Sequence, residues 1–314
     1  MAPPPQGRGA IGRVALTLAC IAIVAGTFVS AAACARPGRA TLSTTNNSRT
    51  DPNEAADSRR AADQERAEPT VTAVAPAEIP PVPTVDLPVD GTLSWAYLDR
   101  ATGQRYSSPN VTVTSYTESM VKAWLAADEL SRSDQRGRQP NLNLIVPMIR
   151  DSNDNAAEII YLNNGANGSI ARMVQTCQLT DTRIFSGWWS MTMMSAQDAV
   201  RLGECIANGV AAGPHWTEWL MNEMRQVRGE GRFGIVDAVG PTVAETLAMK
   251  NGWTLHYTDY RWRVNCLAID HDWILAVMLV YPGRHGLGYG ANICASVAKQ
   301  VLPPAKVPDR NLVM

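Results

Sequence analysis

Ser115-Tyr116-Thr117-Glu118-Ser119-Met120-Val121-Lys122-Ala123-Trp124-Leu125 is the stretch around which the chain is organised. Met120 to Leu130 holds no Gly or Pro, and Ala123, Ala126 and Ala127 are strong helix formers, so the segment after Ser119 predicts a helix. Ser119 and Lys122, three residues apart, share one face of that helix. With Ser119 opening the helix, its hydroxyl sits at the positive end of the macrodipole. A lysine one turn along can take the hydroxyl proton if burial or a neighbouring cation lowers its pKa. The pattern is that of an activated serine with no histidine. Alone it fits equally an exposed helix start with a solvated lysine, and the residues downstream decide between the two.

The chain has 314 residues, 46% of them hydrophobic, and a net charge of -1, enough for one or two domains with an ample core. Balanced charge gives no reason to expect nucleic acid as a partner. The four histidines, His215, His256, His271 and His285, show no zinc-motif spacing, so no metal and no cofactor is expected. Arg8 and Arg13, the apolar run Val14 to Ala33 and the small residues before Cys34 read as a secretion signal over residues 1–34. Small residues directly before a cysteine resemble a bacterial lipobox, which makes Cys34 the lipidation residue. Ala31 stands where Leu is usual, so plain cleavage and an uncleaved anchor compete with that reading. Each places the remainder outside the cytoplasm. Residues 35–86 are rich in Ala, Pro, Thr and charge and lack aromatics, so they read as a disordered tether. About 50 such residues span on the order of 40 Å.

The folded domain is expected over residues 87–305, followed by a tail over residues 306–314. Thr92 to Leu98 reads as a strand, Asp99 to Gly103 as a turn and Gln104 to Tyr106 as the partner strand. Ser131 to Pro140 reads as turn, and Asp151 to Leu162 reads as a loop that passes into another helix. Asn163 to Gly168 reads as loop. Ser195-Ala196-Gln197-Asp198 resembles a capping box opening a helix that ends near Gly209. Trp216 to Val227 is amphipathic. Thr246 to Leu255, Trp262 to Asp270 and Trp273 to Tyr281 read as strands. Gly286 to Gly290 reads as a turn before a final helix from Ala291 to Leu302. The order predicts an α+β fold: an antiparallel sheet flanked by helices, with an all-helical block inserted between its first and last strands.

Three elements then align. Ser119-x-x-Lys122 opens a helix after a hairpin. Met148-Ile149-Arg150-Asp151-Ser152-Asn153-Asp154-Asn155-Ala156-Ala157 resembles the Met-Ile-x-x-Ser-Asp-Asn-x-Ala stretch of class A β-lactamases and their penicillin-binding relatives. Lys250-Asn251-Gly252 is similar to their Lys-Thr-Gly. This resemblance implies Ser119 as nucleophile, Lys122 as base or proton relay, Ser152 as the hydroxyl that passes a proton to the leaving amine, and Lys250 as the cation across the cleft. Asp154, Asn251, Gly252 and Trp253 would contact substrate, and the N–H groups of Ser119 and Trp253 would form the oxyanion hole. The implied ligand is a D-Ala-D-Ala-type peptide or a β-lactam.

The sequence also departs from that pattern. Asp154 stands where an amide is expected, and a carboxylate there stabilises a charged Lys122. Asn251 replaces Thr or Ser. No acid occupies the place of the deacylating Glu, Asp181 being the only acid between Asn163 and Trp189 and more simply a loop or cap residue. The implied activity is weak or degenerate acyl-serine chemistry in an envelope-anchored monomer. The alternative is a non-catalytic tethered protein that binds peptidoglycan fragments or an envelope partner. Cys177, Cys205, Cys266 and Cys294 form an even set in an exported chain, which suggests disulfides. Of three pairings, the element order favours Cys177 with Cys205 and Cys266 with Cys294. Of the tryptophans Trp188, Trp189, Trp216, Trp219 and Trp253, the last is the one expected at the cleft and the others in the core.

Overall fold

The computed structural model describes residues 83–303. The signal, Cys34, nearly all of the tether and the tail lie outside the described residues. Strand β1 (Thr92–Asp99) turns into β2 (Arg105–Ser107), and β3 (Thr114–Tyr116) follows. A 3-10 turn, Glu118–Val121, then feeds α1 (Lys122–Gln135). Ser119 therefore lies in the tight turn before the helix, and Lys122 is the first α-helical residue. The helix also outruns its expected end, taking in Ser131 to Gln135. Arg138 and Asn141 close it off on the buried Glu129 carboxylate, at 2.9 and 3.1 Å. The helical block continues with α2 (Leu142–Arg150), α3 (Asp154–Asn163) and α4 (Asn167–Thr176). The fourth helix is absent from the sequence reading. It is held by tertiary bonds: the Trp124 indole donates to the Ser169 carbonyl at 2.9 Å, and Arg172 forks onto the buried Asp128.

After β4 (Met193–Ser195), Ser195 caps α5 (Ala196–Ala207) by accepting from the Asp198 N–H at 3.1 Å. The box is only half formed. The Asp198 carboxylate instead accepts from the N–H groups of Thr180, Asp181 and Thr182, which locks that loop. Next come α6 (Thr217–Arg225) and the short α7 (Pro241–Thr246). The last strands are β5 (Ala248–Met249), β6 (Gly252–His256), β7 (Arg261–Ile269) and β8 (Trp273–Pro282), and α8 (Gly286–Val301) ends the domain. No helix among the described residues is long and apolar enough to cross a membrane.

The main sheet is antiparallel, in the order β2-β1-β8-β7, with β5 and β6 together forming the far edge. Met249 pairs with Ala268 and Gly252 with Asn265, so one register runs through both edge segments, and Lys250 N–H donates to Leu267 O between them at 3.0 Å. The single strand expected over Thr246–Leu255 thus exists as two segments in one line, with its first residue in α7. Side chains alternate across the sheet. A methyl on Gly203 of α5 would meet Ile274, Leu267 and Ile269, whereas one on Gly290 of α8 would meet Tyr281 and Val264. Helix α5 therefore covers one face and α8 the other. Gly286 to Gly290, expected as a turn, forms the start of α8. The Tyr281 hydroxyl donates to Gly286 O and accepts from Gly290 N–H, which anchors glycines that are weak helix formers on their own. Cys177–Cys205 and Cys266–Cys294 are both bonded, each closing 28 residues.

Candidate active site

Three sequence-distant residues, Lys122, Ser152 and Lys250, meet at the edge of this sheet beside a cleft that Ser119 lines. Lys122 and Lys250 are both fully buried, at 0% exposure. Their amines approach one hydroxyl: Nζ of Lys122 lies 3.2 Å and Nζ of Lys250 2.9 Å from Oγ of Ser152. Ser152 is held in the left-handed region at φ 57, a strained setting for a serine. Its neighbours fix it there. Arg150 forks onto buried Glu223, and Arg228 onto Asp151 at 2.6 and 2.9 Å. Asn153, rather than Ser152, caps α3 through the Ala156 N–H at 2.9 Å. Ser119 lines the same cleft, an open depression of about 1050 Å³ that also touches Ser152, Asp154 and Trp253. Gly252 sets how closely β6 approaches the serine turn: a Cβ there would sit 2.8 Å from the Ser119 nitrogen and 2.3 Å from the Thr117 oxygen.

Asp154 stands beside the first lysine, with Oδ1 2.6 Å from Lys122 Nζ, although its side chain is 79% exposed. It pulls the Lys122 pKa upward, as the sequence implies. Burial is the larger influence, and the net direction is below the ordinary 10.5. Lys250 lies well below 10.5, first through burial and then through repulsion from Lys122. Two buried amines thus share one nearby carboxylate. Charging both would leave a poorly compensated buried cation. Among the described residues Lys250 has no carboxylate in hydrogen-bonding reach, whereas Lys122 is paired with Asp154, so Lys250 is the amine pushed further from its ordinary value.

Asn251 does not join the cleft. Both its N–H donors are used, on Gly231 O at 3.1 Å and Phe233 O at 2.8 Å. Alternation along the edge strand turns it to the opposite face from Lys250, and it ties the edge to the 229–233 loop instead of reaching for substrate. Trp253 lines the cleft with the Lys250 amine 5.9 Å from its ring. Trp188, expected in the core, is 59% exposed at the rim. Trp189 is buried and places its ring 4.9 Å from the Lys122 amine. Its indole N–H donates to Glu158 at 3.0 Å. Asp181 accepts from Ser195 Oγ at 2.7 Å, a loop contact away from the cleft-lining residues.

A second pair, with no counterpart among the motifs, lines the same cleft. Glu118, directly before Ser119, has φ 48 and is 3% exposed. Its Oε1 lies 2.7 Å from His256 Nε2, and both residues line the cleft. Burial pushes the Glu118 carboxyl up, and His256 pulls it back. One signal was available: Lys250, Gly252, Thr254 and His256 occupy alternate positions of one strand and so share a face.

Comparison with solved structures gives the architecture a context. TLA-1 extended-spectrum β-lactamase is 13% identical with a TM-score of 0.60, over 68% of this chain and 92% of that one. An ancestral class A β-lactamase is 15% identical at TM-score 0.57, over 68% and 94%. A β-lactamase from Desulfarculus baarsii is 15% identical at TM-score 0.54, over 68% and 91%. The chain has the class A β-lactamase fold. At these identities the likeness concerns fold alone. Curated proteins from Mycobacterium tuberculosis and Mycobacterium bovis, each named "Putative lipoprotein LppW", are 30% identical over 175 residues. That match takes in 52% of this chain and 54% of theirs, so the chain spans about half the length of the curated relatives it matches. No family model matches.

Proposed function

We propose that this chain is an envelope-anchored, penicillin-binding-like protein that forms an acyl ester on Ser119 from a D-Ala-D-Ala-type peptide or a β-lactam. The observation that carries this reading is the approach of two buried lysine amines to the Ser152 hydroxyl in the cleft that Ser119 lines. Ser119 Oγ attacks the carbonyl. Its proton moves toward the Lys122–Ser152–Lys250 cluster, where the neutral Lys250 amine supplies the basicity and the Lys122 cation steadies the developing alkoxide. Ser152 then hands a proton to the departing nitrogen. Ser119 and Trp253 N–H groups would receive the oxyanion, and Gly252 keeps the strand close enough for that.

The two disulfides fit an oxidising, extracytoplasmic compartment. The lipoprotein name of the mycobacterial relatives supports Cys34 as a lipid anchor, with residues 35–86 as tether to a domain over residues 87–305. A second reading, a non-catalytic binder of peptidoglycan fragments or an envelope partner, draws on the Asp154 ion pair, which favours the charged form of Lys122. A fluorescent penicillin separates the two. Label on the wild type that disappears in Ser119→Ala supports acylation. Absence of label, with muropeptide binding equal in both proteins, supports the binder.

A further inference from the structure

An acyl ester on Ser119 needs a base to activate water, and neither lysine is placed for it. Lys122 directs its ammonium at three acceptors, Ser152 O at 2.5 Å, Ser152 Oγ at 3.2 Å and Asp154 Oδ1 at 2.6 Å. Trp189 covers it as well, and both lysines are closed to solvent. Glu158 accepts the Trp189 indole N–H through Oε2 at 3.0 Å. The serine has another neighbour. Glu118 precedes it in the chain, and its buried carboxylate meets His256 Nε2 at 2.7 Å. That contact assigns the Nε2–H tautomer and leaves the Nδ1 lone pair. No hydrogen bond occupies Nδ1 among the described residues, and the side chain keeps 16% of its surface open. The ring is held from the side by Tyr116, 5.4 Å between centroids, with the Arg263 guanidinium 5.1 Å from the Tyr116 ring and ion-paired to Asp259.

We propose that His256, oriented by Glu118, is the base that activates water against the Ser119 acyl ester. This rests on the acyl-serine reading above. Water attacks the ester carbonyl and gives one proton to His256 Nδ1. The bond from the carbonyl carbon to Ser119 Oγ then breaks, the imidazolium returns that proton to the serine oxygen, and the carboxylic acid leaves. No other reactant is consumed. Glu118 is a positioning residue: it holds the tautomer and steadies the imidazolium.

The test measures acylation and deacylation separately, with a fluorescent penicillin on the full mature chain. In His256→Gln, deacylation falls about 100-fold further than acylation, in line with the worth of a general base. In Glu118→Gln deacylation likewise falls further than acylation, and Glu118→Asp restores part of the wild-type deacylation rate. Equal losses in both steps for His256→Gln, or wild-type deacylation in it, overturn the proposal and leave Ser119 acylation standing. A wild type that takes no label overturns both.

Discussion

At the scale of single residues, the site is governed by two amines and one carboxylate. Because Lys250 lies well below 10.5, its reactive neutral form is present at lower pH than for a free lysine. Acylation of Ser119 is therefore expected to rise with pH and level off below 10.5. Asp154→Asn removes a carboxylate that raises both amines, so the plateau set by Lys250 moves lower still and labelling at pH 7 increases about two- to tenfold. A stopped-flow pH profile of both proteins checks this, and an unchanged or slower variant contradicts it. Lys250 also costs stability. Its folded pKa is depressed, so the unfolded chain binds the extra proton, and the penalty grows as pH falls from 10.5. Lys250→Met should then raise the melting temperature at pH 7 by about 2–8 °C while labelling is lost. The gain should shrink as the melts are repeated toward pH 10.5. The four residues of this cluster were legible because Ser-x-x-Lys, Ser152 and Lys-x-Gly have local spacing. Glu118 and His256 were not, since a lone acid and a lone histidine 138 positions apart meet only where β6 packs against the serine turn.

Among elements, the contact between β6 and the serine turn decides the geometry. Gly252→Ala introduces a methyl 2.3 Å from Thr117 O and 2.8 Å from Ser119 N. The strand must retreat. The expected cost is about 1–3 kcal/mol in stability, and roughly 100-fold in labelling rate, the usual effect of about 1 Å of misplacement. Chemical denaturation and labelling kinetics on one preparation measure both. A variant that loses stability but labels normally would show that the gap between strand and turn does not matter. The strands β1, β7 and β8 were readable because apolar runs between turn residues carry their own signal. Helix α4 and the first turn of α8 were not. Their sequences contain Asn167-Gly168 and Gly286-Leu287-Gly288, poor helix formers, and they become helical through Trp124, Arg172 and Tyr281, residues outside the segments concerned or on their far side. Asn251 was misassigned for a related reason: its position in Lys-x-Gly was visible, but the carbonyls of Gly231 and Phe233 that take its donors were not.

For the whole molecule, the two disulfides tie different layers. One joins the end of α4 to α5, the other joins β7 to α8. Each closes 28 residues, worth about 3.5 kcal/mol of lost unfolded-state entropy. Replacing Cys266 and Cys294 together by Ala should lower the denaturant midpoint accordingly, and a shift under about 1 kcal/mol would mean the cross-link adds little to the packing of α8. The described chain also begins where it finishes: Asp86 N–H donates to Gln300 at 2.9 Å, and Asp90 N–H to Tyr289 at 2.9 Å. The order in which the ribosome delivers β1 and α8 is thus separable from where they end up. A rewired gene that joins residue 303 to residue 83 through a short glycine bridge, with new ends at the exposed Thr102-Gly103 turn, should still yield both disulfides and a label-competent serine.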